Sequence, residues 1–304
     1  METLLNPILK NIFGSNCNII SQSIITDGYK NTTFKIICNK YEAPLFVKIE
    51  KPFTIPRTQL FQIKKEVAGI TLCGKVGIPV PKIIKADEEG LEFGRPWIVE
   101  NFINDKLIHE FHLGEDNKET LGVEYETLYS KISGITNDFF GDTFDSGFIG
   151  KHQTWHSAIA KMTQLIYEDC IEADVFGDKI QIVDLALKKA LSKIKSSHRS
   201  VFFHCDLFSA NIMGVEKDGT VHISHIIDFG MSLFASECYS KYLTWKYTDF
   251  HVTPLDINKK YSVDPEELEA YDILRLEPIL LANIFKINGL TAQYVQKCEG
   301  YIMK

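Results

Sequence analysis

Residues 201–230 read VFFHCDLFSANIMGVEKDGTVHISHIIDFG, and this stretch decides the fold. An apolar run, Val201–Phe203, leads into a polar loop, and a second strand-like run, Val221–Ile227, ends at Asp228. The pair Asp218-Gly219 lies between two segments of β type, which is a strong signal for a tight hairpin turn. We therefore predict a β-hairpin that brings the loop before its first strand beside the loop after its second strand.

Three oxygen-bearing side chains would meet at that end of the hairpin: Asp206, Asn211 and Asp228. Clusters of oxygen ligands suit Mg²⁺, a hard cation that retains several waters and is usually shared with a phosphate. Asn211 and Asp228 would then hold the metal, and Asp206 would accept the proton of an attacking hydroxyl. The alternative is an ordinary hairpin with two solvated aspartates and a core histidine, but the joint spacing in a hairpin context favours the site.

This spacing resembles the catalytic and metal loops of the protein-kinase fold. It is most similar to the aminoglycoside phosphotransferase family, which contains antibiotic and choline kinase-like enzymes. The family signature is His-x-Asp-(four residues)-Asn followed by Ile-Asp-Phe/Trp-Gly/Glu. The matching residues here are His204, Asp206, Asn211 and Ile227-Asp228-Phe229-Gly230.

The resemblance implies an α+β, bilobal, protein-kinase-like fold. Residues 1–100 would form an N-lobe, an antiparallel sheet with one main helix that covers the nucleotide. Residues 101–304 would form a mostly helical C-lobe that carries the catalytic hairpin and the acceptor pocket. His204 would be a structural residue whose ring orders the catalytic loop.

A lysine lies in the middle of the predicted strand Leu45–Ile49. Alternation places Phe46 and Lys48 on one face of this strand, and a lysine flanked by apolar residues needs an anion or water for its ammonium. Phosphate oxygens would satisfy it, and the resemblance places Lys48 at the phosphate-contacting lysine and Phe46 against the adenine. An edge-strand lysine that reaches solvent, and simple core packing of Phe46, are the alternatives.

A glutamate borders the buried stripe of the helix predicted over Thr58–Lys75. Glu66 would need a cation there, and Lys48 is the natural partner, as in the lysine–glutamate pair of kinases. The alternative is an exposed glutamate that pairs with Lys64 or Lys65.

Two further segments are assigned by position. Gly28 lies in a predicted turn that would cover the phosphates, although the full Gly-x-Gly-x-x-Gly pattern is absent. A predicted strand over 91–102 ends in a segment that resembles the inter-lobe hinge, where backbone groups near Glu100 and Phe102 would hydrogen-bond the adenine edge.

Composition excludes several classes of protein. The 304 residues carry a formal charge of −7, which argues against a nucleic-acid binder and permits a cationic substrate. Seven scattered cysteines fit reduced thiols in the cytoplasm better than disulfides or zinc. The start, Met1–Phe13, is typical of a short amphipathic helix, and no apolar run is long enough to span a membrane.

The acceptor is not disclosed by the sequence. Aromatic and acidic residues within 231–250 could line a pocket for an amine-bearing acceptor or could simply pack a helix: Glu237, Tyr239, Tyr242, Trp245 and Asp249.

The expected activity is transfer of the γ-phosphoryl group of ATP or GTP, with Mg²⁺, to a hydroxyl of a small molecule. That molecule would be an aminoglycoside-like antibiotic, as in a resistance enzyme, or a metabolite of choline, ethanolamine or ketosamine type. A pseudokinase that only binds nucleotide and a protein kinase are the rivals. Nothing in the sequence fixes the oligomeric state, and a monomer is consistent with it.

Overall fold

The N-terminal part of the chain forms one antiparallel sheet with a helix on each face. The computed structural model describes residues 2–144, 147–195, 199–247 and 264–304. The sheet order is β1-β2-β3-β5-β4. Its elements are α1 (Glu2–Phe13), β1 (Ile19–Asp27), β2 (Asn31–Cys38), β3 (Tyr41–Glu50), α2 (Gln62–Lys75), β4 (Ile83–Asp87) and β5 (Trp97–Asn101).

Alternation along β3 separates a core face from a cleft face, as predicted. Leu45, Val47 and Ile49 are buried in a core that also includes apolar residues of α1. Phe46 and Lys48 face the other side, towards α2 and the cleft. The amphipathic start of the chain therefore covers one face of the sheet and leaves the other for the site.

Two predicted boundaries are wrong. The helix expected from Thr58 begins at Gln62, because Phe61 adopts a left-handed backbone (φ 62°) after a 3₁₀ turn at Arg57–Gln59. The strand expected over 91–102 is confined to β5, because Asp87 accepts hydrogen bonds from the Leu91 and Glu92 amides at 3.1 and 2.7 Å and holds this segment in a turn.

The remainder of the chain is mostly helical. Its helices are α3 (Glu115–Gly134), α4 (Trp155–Glu172), α5 (Ile180–Leu191), α6 (Glu237–Tyr247), α7 (Pro265–Leu274), α8 (Glu277–Ile284) and α9 (Leu290–Met303). Its short strands are β6 (Lys106–Leu107), β7 (Phe140–Gly141), β8 (Lys151–His152), β9 (Ser200–Phe203), β10 (Ile212–Lys217), β11 (Thr220–Ile226) and β12 (Leu233–Ser236). Among the described residues, no helix is both long enough and apolar enough to cross a bilayer.

The hairpin predicted from Asp218-Gly219 is confirmed. Strands β10 and β11 pair antiparallel with Ile212 opposite Ile226. Asp218 and Gly219 both have positive φ (52° and 79°), as a type I′ turn requires. The hairpin also pairs with β6, so the sheet changes directly after β5. The division into residues 1–100 and 101–304 stays a prediction, and this change of sheet supports it.

A shared core joins the two parts of the chain. Ile63 of α2 belongs to the same buried cluster as Tyr125 of α3, Ile226 of the hairpin and Phe229 behind it. The predicted fold class, α+β with an antiparallel N-terminal sheet and a helical C-terminal part, is confirmed.

Candidate active site

His204 ties the loop after β9 to the end of the hairpin. Its Nε2–H donates to the Ile227 carbonyl at 3.0 Å, and its Nδ1 accepts from the Asp206 amide at 3.3 Å. The ring lies against Phe229, with centroids 4.6 Å apart. One nitrogen donates and the other accepts, so the ring is neutral, and burial lowers the pKa of His204 accordingly. This geometry suits the ordering role expected of His204.

Asn211 fixes the side chain of Asp206. The Asn211 amide donates to the Asp206 carbonyl at 2.7 Å and to its Oδ2 at 3.0 Å. The Asn211 carbonyl accepts from the Ile227 amide at 3.0 Å, which fixes the two loops side by side. Burial raises the pKa of Asp206, and the nearby Asp228 carboxylate adds to the rise. The two loops thus meet at the end of the hairpin, as the turn signal predicted.

Asp228 lies at the open side of this junction. Its φ of 62° turns the chain sharply after β11, and 45% of its side chain is exposed. Burial favours the neutral acid, but the Lys48 ammonium, 3.0 Å from Oδ1, outweighs it and lowers the pKa of Asp228 to about 2. Asp228 therefore carries a full negative charge towards the cleft.

Lys48 joins strand β3 to helix α2 and to the hairpin. Its Nζ is 2.9 Å from Glu66 Oε2 and 3.0 Å from Asp228 Oδ1. Burial opposes the charged form, but these two carboxylates raise the pKa of Lys48 above its ordinary value. Glu66, 2% exposed, also accepts a hydrogen bond from the Phe229 amide. Glu66 therefore pairs with Lys48, and not with Lys64 or Lys65.

The close approach of α2 to the hairpin depends on a glycine. A Cβ at Gly69 would lie 2.5 Å from Phe229 Cβ and 2.8 Å from Phe229 Cδ1. Phe229 is fully buried and cannot move aside easily. Gly69 therefore allows the contact that brings Glu66 within reach of Lys48.

The oxygen atoms of Asn211 and Asp228 fit a magnesium ion. Asn211 uses its amide nitrogen on Asp206, so its side-chain oxygen is available as a ligand. Asp228 Oδ1 accepts a hydrogen bond from Lys48. The Asp228 side chain is 45% exposed, so Oδ2 can act as a ligand. Both are hard oxygen donors, of the type that Mg²⁺ prefers.

Phe46 and Glu100 lie beside each other on the cleft face. They are directly paired across β3 and β5, so their side chains share the face of Lys48. Glu100 is 3% exposed, and its Oε1 has no hydrogen-bond partner among the described residues. Burial, and repulsion by Glu66, raise the pKa of Glu100 to about 8. A base-binding role for the two residues stays a prediction.

The backbone amide of Phe102 is already paired in the structure. Its amide donates to the Pro44 carbonyl at 2.9 Å within the sheet. Its ring lies under the Lys35 ammonium, 4.1 Å from the centroid. Contact of backbone groups near Glu100 and Phe102 with the adenine edge stays a prediction.

The turn between β1 and β2 contributes a residue that sequence reasoning missed. Gly28 accepts a hydrogen bond from Lys51 Nζ at 2.8 Å, and a Cβ there would meet no atom nearer than 3.6 Å. Sterically the turn does not need a glycine. Lys30 of the same turn lines the cavity beside Asp206, and its charge helps to lower the pKa of Asp228. Lys30 could have been found from the sequence, because it is a cation in a turn that was predicted to cover phosphates.

Comparison with known proteins supports the fold. No protein-family model matches the chain, and no curated protein sequence matches it. Solved structures do match over nearly the whole length. A thermostable mutant of aminoglycoside phosphotransferase APH(4)-Ia, in ternary complex with AMP-PNP and hygromycin B, has a TM-score of 0.66 at 14% identity, covering 99% of this chain and 98% of that chain.

Two other structures show the same likeness. A candidate fructosamine-3-kinase from Haemophilus somnus 129PT has a TM-score of 0.67 at 16% identity, covering 100% of this chain and 98% of that chain. The GDP and kanamycin complex of APH(2")-IIia has a TM-score of 0.58 at 14% identity, covering 99% and 97%. The chain has the aminoglycoside phosphotransferase fold. At these identities the likeness concerns the fold.

A cavity of about 350 Å³ opens beside Asp206 in this aminoglycoside phosphotransferase fold. Its walls come from the 3₁₀ turn at Arg57–Gln59, from α4, from α6 and from the start of α8. Gln59, Thr163 and Glu277 were missed by sequence reasoning, because no local pattern joins segments so far apart. This volume falls in the range of small-molecule sites.

The aromatic and acidic residues of 231–250 mostly pack helix α6. Tyr239 and Tyr242 are buried, and Tyr239 lines the cavity wall. Glu237 pairs with Lys241 at 2.6 Å. The side chain of Trp245 and all of Asp249 lie outside the described residues. Helix packing thus accounts for most of this pattern.

Proposed function

We propose that this chain transfers the γ-phosphoryl group of ATP or GTP to a hydroxyl of a small molecule. The observation that carries the proposal is the position of Lys48, whose ammonium joins Glu66 at 2.9 Å and Asp228 at 3.0 Å. Asp228 in turn borders the loop in which Asn211 fixes Asp206. Phosphoryl transfer needs mainly positioning and charge neutralisation, and this constellation supplies both.

Each residue would have a separate task. Lys48 would neutralise the phosphate oxygens, and Lys30 would approach them from the turn above. Asn211 and Asp228 would hold Mg²⁺, which would offset charge on the phosphates when bound. Asp206 would orient the acceptor hydroxyl and take its proton as the new O–P bond forms and the bond from the γ-phosphorus to the bridging oxygen breaks.

The acceptor would be an aminoglycoside-like antibiotic or a related amino-alcohol or sugar. Two of the structural neighbours are complexes with hygromycin B and with kanamycin, and another is a candidate fructosamine-3-kinase. An antibiotic acceptor would make the protein a resistance enzyme, and a choline, ethanolamine or ketosamine acceptor would make it a metabolic kinase. We expect a cytoplasmic protein that binds neither nucleic acid nor membrane; a monomer is consistent with its sequence.

A nucleotide-consumption assay over hydroxylated amines, with ATP and GTP in parallel, tests the proposal. We expect acceptor-dependent release of nucleoside diphosphate and a product heavier by one phosphate in mass spectrometry. Asp228→Asn should abolish both, and Asp218→Asn in the exposed hairpin turn is the matched control. Nucleotide binding without any phosphorylated product would favour the pseudokinase.

A further inference from the structure

Strand β1 lies at an edge of the N-terminal sheet and is exposed along its length. In the order β1-β2-β3-β5-β4 it has β2 on one side and, among the described residues, no strand on the other. All residues from 20 to 26 are exposed, and Ile20, Ile24 and Ile25 are 68%, 51% and 49% exposed. The outer edge of β1 therefore offers backbone groups and apolar side chains to a further strand.

The opposite edge of the same sheet is protected, whereas β1 is not. Strand β4 is five residues long, has Lys85 in its middle and follows Pro81. Strand β1 is nine residues long, and neither a charged residue nor a proline occurs from Asn11 to Thr26. Short length, charge and proline are the usual devices that keep an edge strand from pairing with another chain. Their absence from β1 indicates that another strand covers this edge.

The sequence of β1 is palindromic about Gln22. Residues 19–25 read IISQSII. An antiparallel β1 from a second copy, related by a two-fold axis at Gln22, places like residues opposite each other: Ile19 and Ile25, Ile20 and Ile24, Ser21 and Ser23, and Gln22 and its own copy. Pairs of β-branched residues and pairs of hydroxyl residues stabilise neighbouring antiparallel strands, and no like charges meet. The edge is therefore complementary to itself.

The regular part of β1 contains the centre of the palindrome. The register of β1 against β2 shifts between Ile19 and Ser21, and again between Ile24 and Thr26. The residues between these two shifts, 21–24, pair with β2 in unbroken register. Because bulges bend a strand, they limit the length of any ladder on its outer edge. The expected contact is therefore short and centred on Gln22.

We propose that two copies of this chain pair antiparallel through β1 and form one continuous sheet. The two-fold axis is perpendicular to this sheet, because antiparallel neighbours in one sheet keep corresponding faces on the same side. Both copies of α1 then lie on one face and both copies of Lys48 on the other. The pairing leaves both clefts open, so it does not depend on the proposed function.

Sedimentation velocity of the full chain at increasing concentration tests the pairing. The mass should rise from that of one copy to that of two, with a Kd of about 1–100 µM, because so short a ladder gives an interface at the small end of the specific range.

Two double variants test the register. Ser21→Glu/Ser23→Glu sets carboxylates opposite each other across the two-fold axis and should raise the Kd about 10-fold or more. Ser21→Lys/Ser23→Glu sets opposite charges there, and its Kd should stay within about 2-fold of wild type or fall. Both variants share Ser23→Glu, which lies opposite Lys35 of β2, so they differ only at residue 21.

Cross-linking locates the two-fold axis without disturbing the charge. In Gln22→Cys, the two new thiols lie opposite each other, and diamide should oxidise them to one intermolecular disulfide, visible on a non-reducing gel. Thr26→Cys on the same exposed strand is the control. Its two thiols would be roughly 25 Å apart and should stay reduced.

Four results would overturn the inference. They are a single-copy mass for the wild type up to about 300 µM, above the Kd range expected for so small an interface; species larger than two copies; equal Kd values for the two double variants; and equal cross-linking at residues 22 and 26. Loss of phosphoryl transfer in a chain that still forms the dimer would count against the proposed function alone.

Discussion

Lys48 and its two carboxylate partners, on the nucleotide side of Asp206, are paired within the protein, whereas three residues on its acceptor side keep buried atoms without a hydrogen-bond partner among the described residues. On the nucleotide side, Lys48 is bonded to Glu66 and Asp228, and Asn211 is bonded to Asp206. On the acceptor side, Gln59, Thr163 and Glu277 each have a buried side-chain oxygen without a hydrogen-bond partner among the described residues. The first side is held together by contacts within the protein, and the second keeps buried polar atoms that make no such contact among the described residues. The two sides of Asp206 are therefore organised differently.

Breaking the paired side should have the largest effect. We expect Lys48→Met to lower kcat/KM by about 100-fold or more, because the phosphate charge loses its fixed counter-ion. The measurement is steady-state kinetics with varied nucleotide, and Lys40→Met in the exposed turn between β2 and β3 is the control. Lys48→Met also leaves Glu66 buried without its partner and should therefore lower stability. The double variant Lys48→Met/Glu66→Gln should regain stability without regaining activity. Activity within a few-fold of wild type in either variant would contradict the role of Lys48.

Gly69→Ala tests whether the paired side depends on the close contact of α2 with Phe229. We expect a loss of about 1–3 kcal/mol in the free energy of unfolding, because the added Cβ would lie 2.5 Å from Phe229 Cβ. Gly74→Ala on the same helix is the control, since its Cβ would meet Val80 at 3.5 Å, an ordinary contact. Urea denaturation measures both variants. Equal stability of the two would show that the Phe229 contact is not tight.

Glu100 gives the nucleotide side a pH dependence of stability. Its folded pKa is raised to about 8 by burial and by Glu66, above its ordinary value of 4.5. The folded state therefore holds a proton that the unfolded state releases, so stability is full below about pH 4.5 and is lost as the pH rises towards 8. Glu100→Gln should remove this dependence.

Urea denaturation of wild type and Glu100→Gln at several pH values measures the effect. The variant should gain on the order of 1 kcal/mol relative to wild type for each pH unit between about 5 and 8, and no more above that range. A difference that stays constant with pH would mean that Glu100 is charged throughout.

The smallest effect should come from removing an unpaired group. Thr163→Val should stabilise the ligand-free protein by about 1 kcal/mol, because its buried hydroxyl has no partner in the described part of the chain. Ser240→Ala should destabilise it by a similar amount, because Ser240 is bonded to Tyr129 at 2.9 Å. Thermal unfolding compares the two variants. Destabilisation by Thr163→Val would show that its hydroxyl is already satisfied.

The same comparison explains what the sequence could predict. Asp206, Asn211 and Asp228 lie in the two loops that flank a single hairpin, so a turn signal and a short spacing were enough to predict that they come together. Lys48 and Glu66 each disturb an apolar pattern, which is why each demanded a partner. The confirmed fold class follows from the same local patterns.

The features that the sequence did not predict depend on contacts between distant segments. Gln59, Thr163 and Glu277 come together only after three elements have packed, and no spacing in the sequence predicts that they do. The bond from the Phe102 amide to Pro44 depends on the register of two strands, which local composition does not determine. The helix start was misjudged because the left-handed backbone of Phe61 overrides a continuous apolar stripe.

Phosphoryl transfer by Asp206→Ala, measured beside its nucleotide affinity, tests the central claim most directly. We predict that turnover falls by about 1000-fold or more while the affinity for Mg²⁺–AMP-PNP changes less than about 2-fold, because Asp206 acts on the acceptor hydroxyl. Turnover equal to that of the wild-type chain would contradict the account.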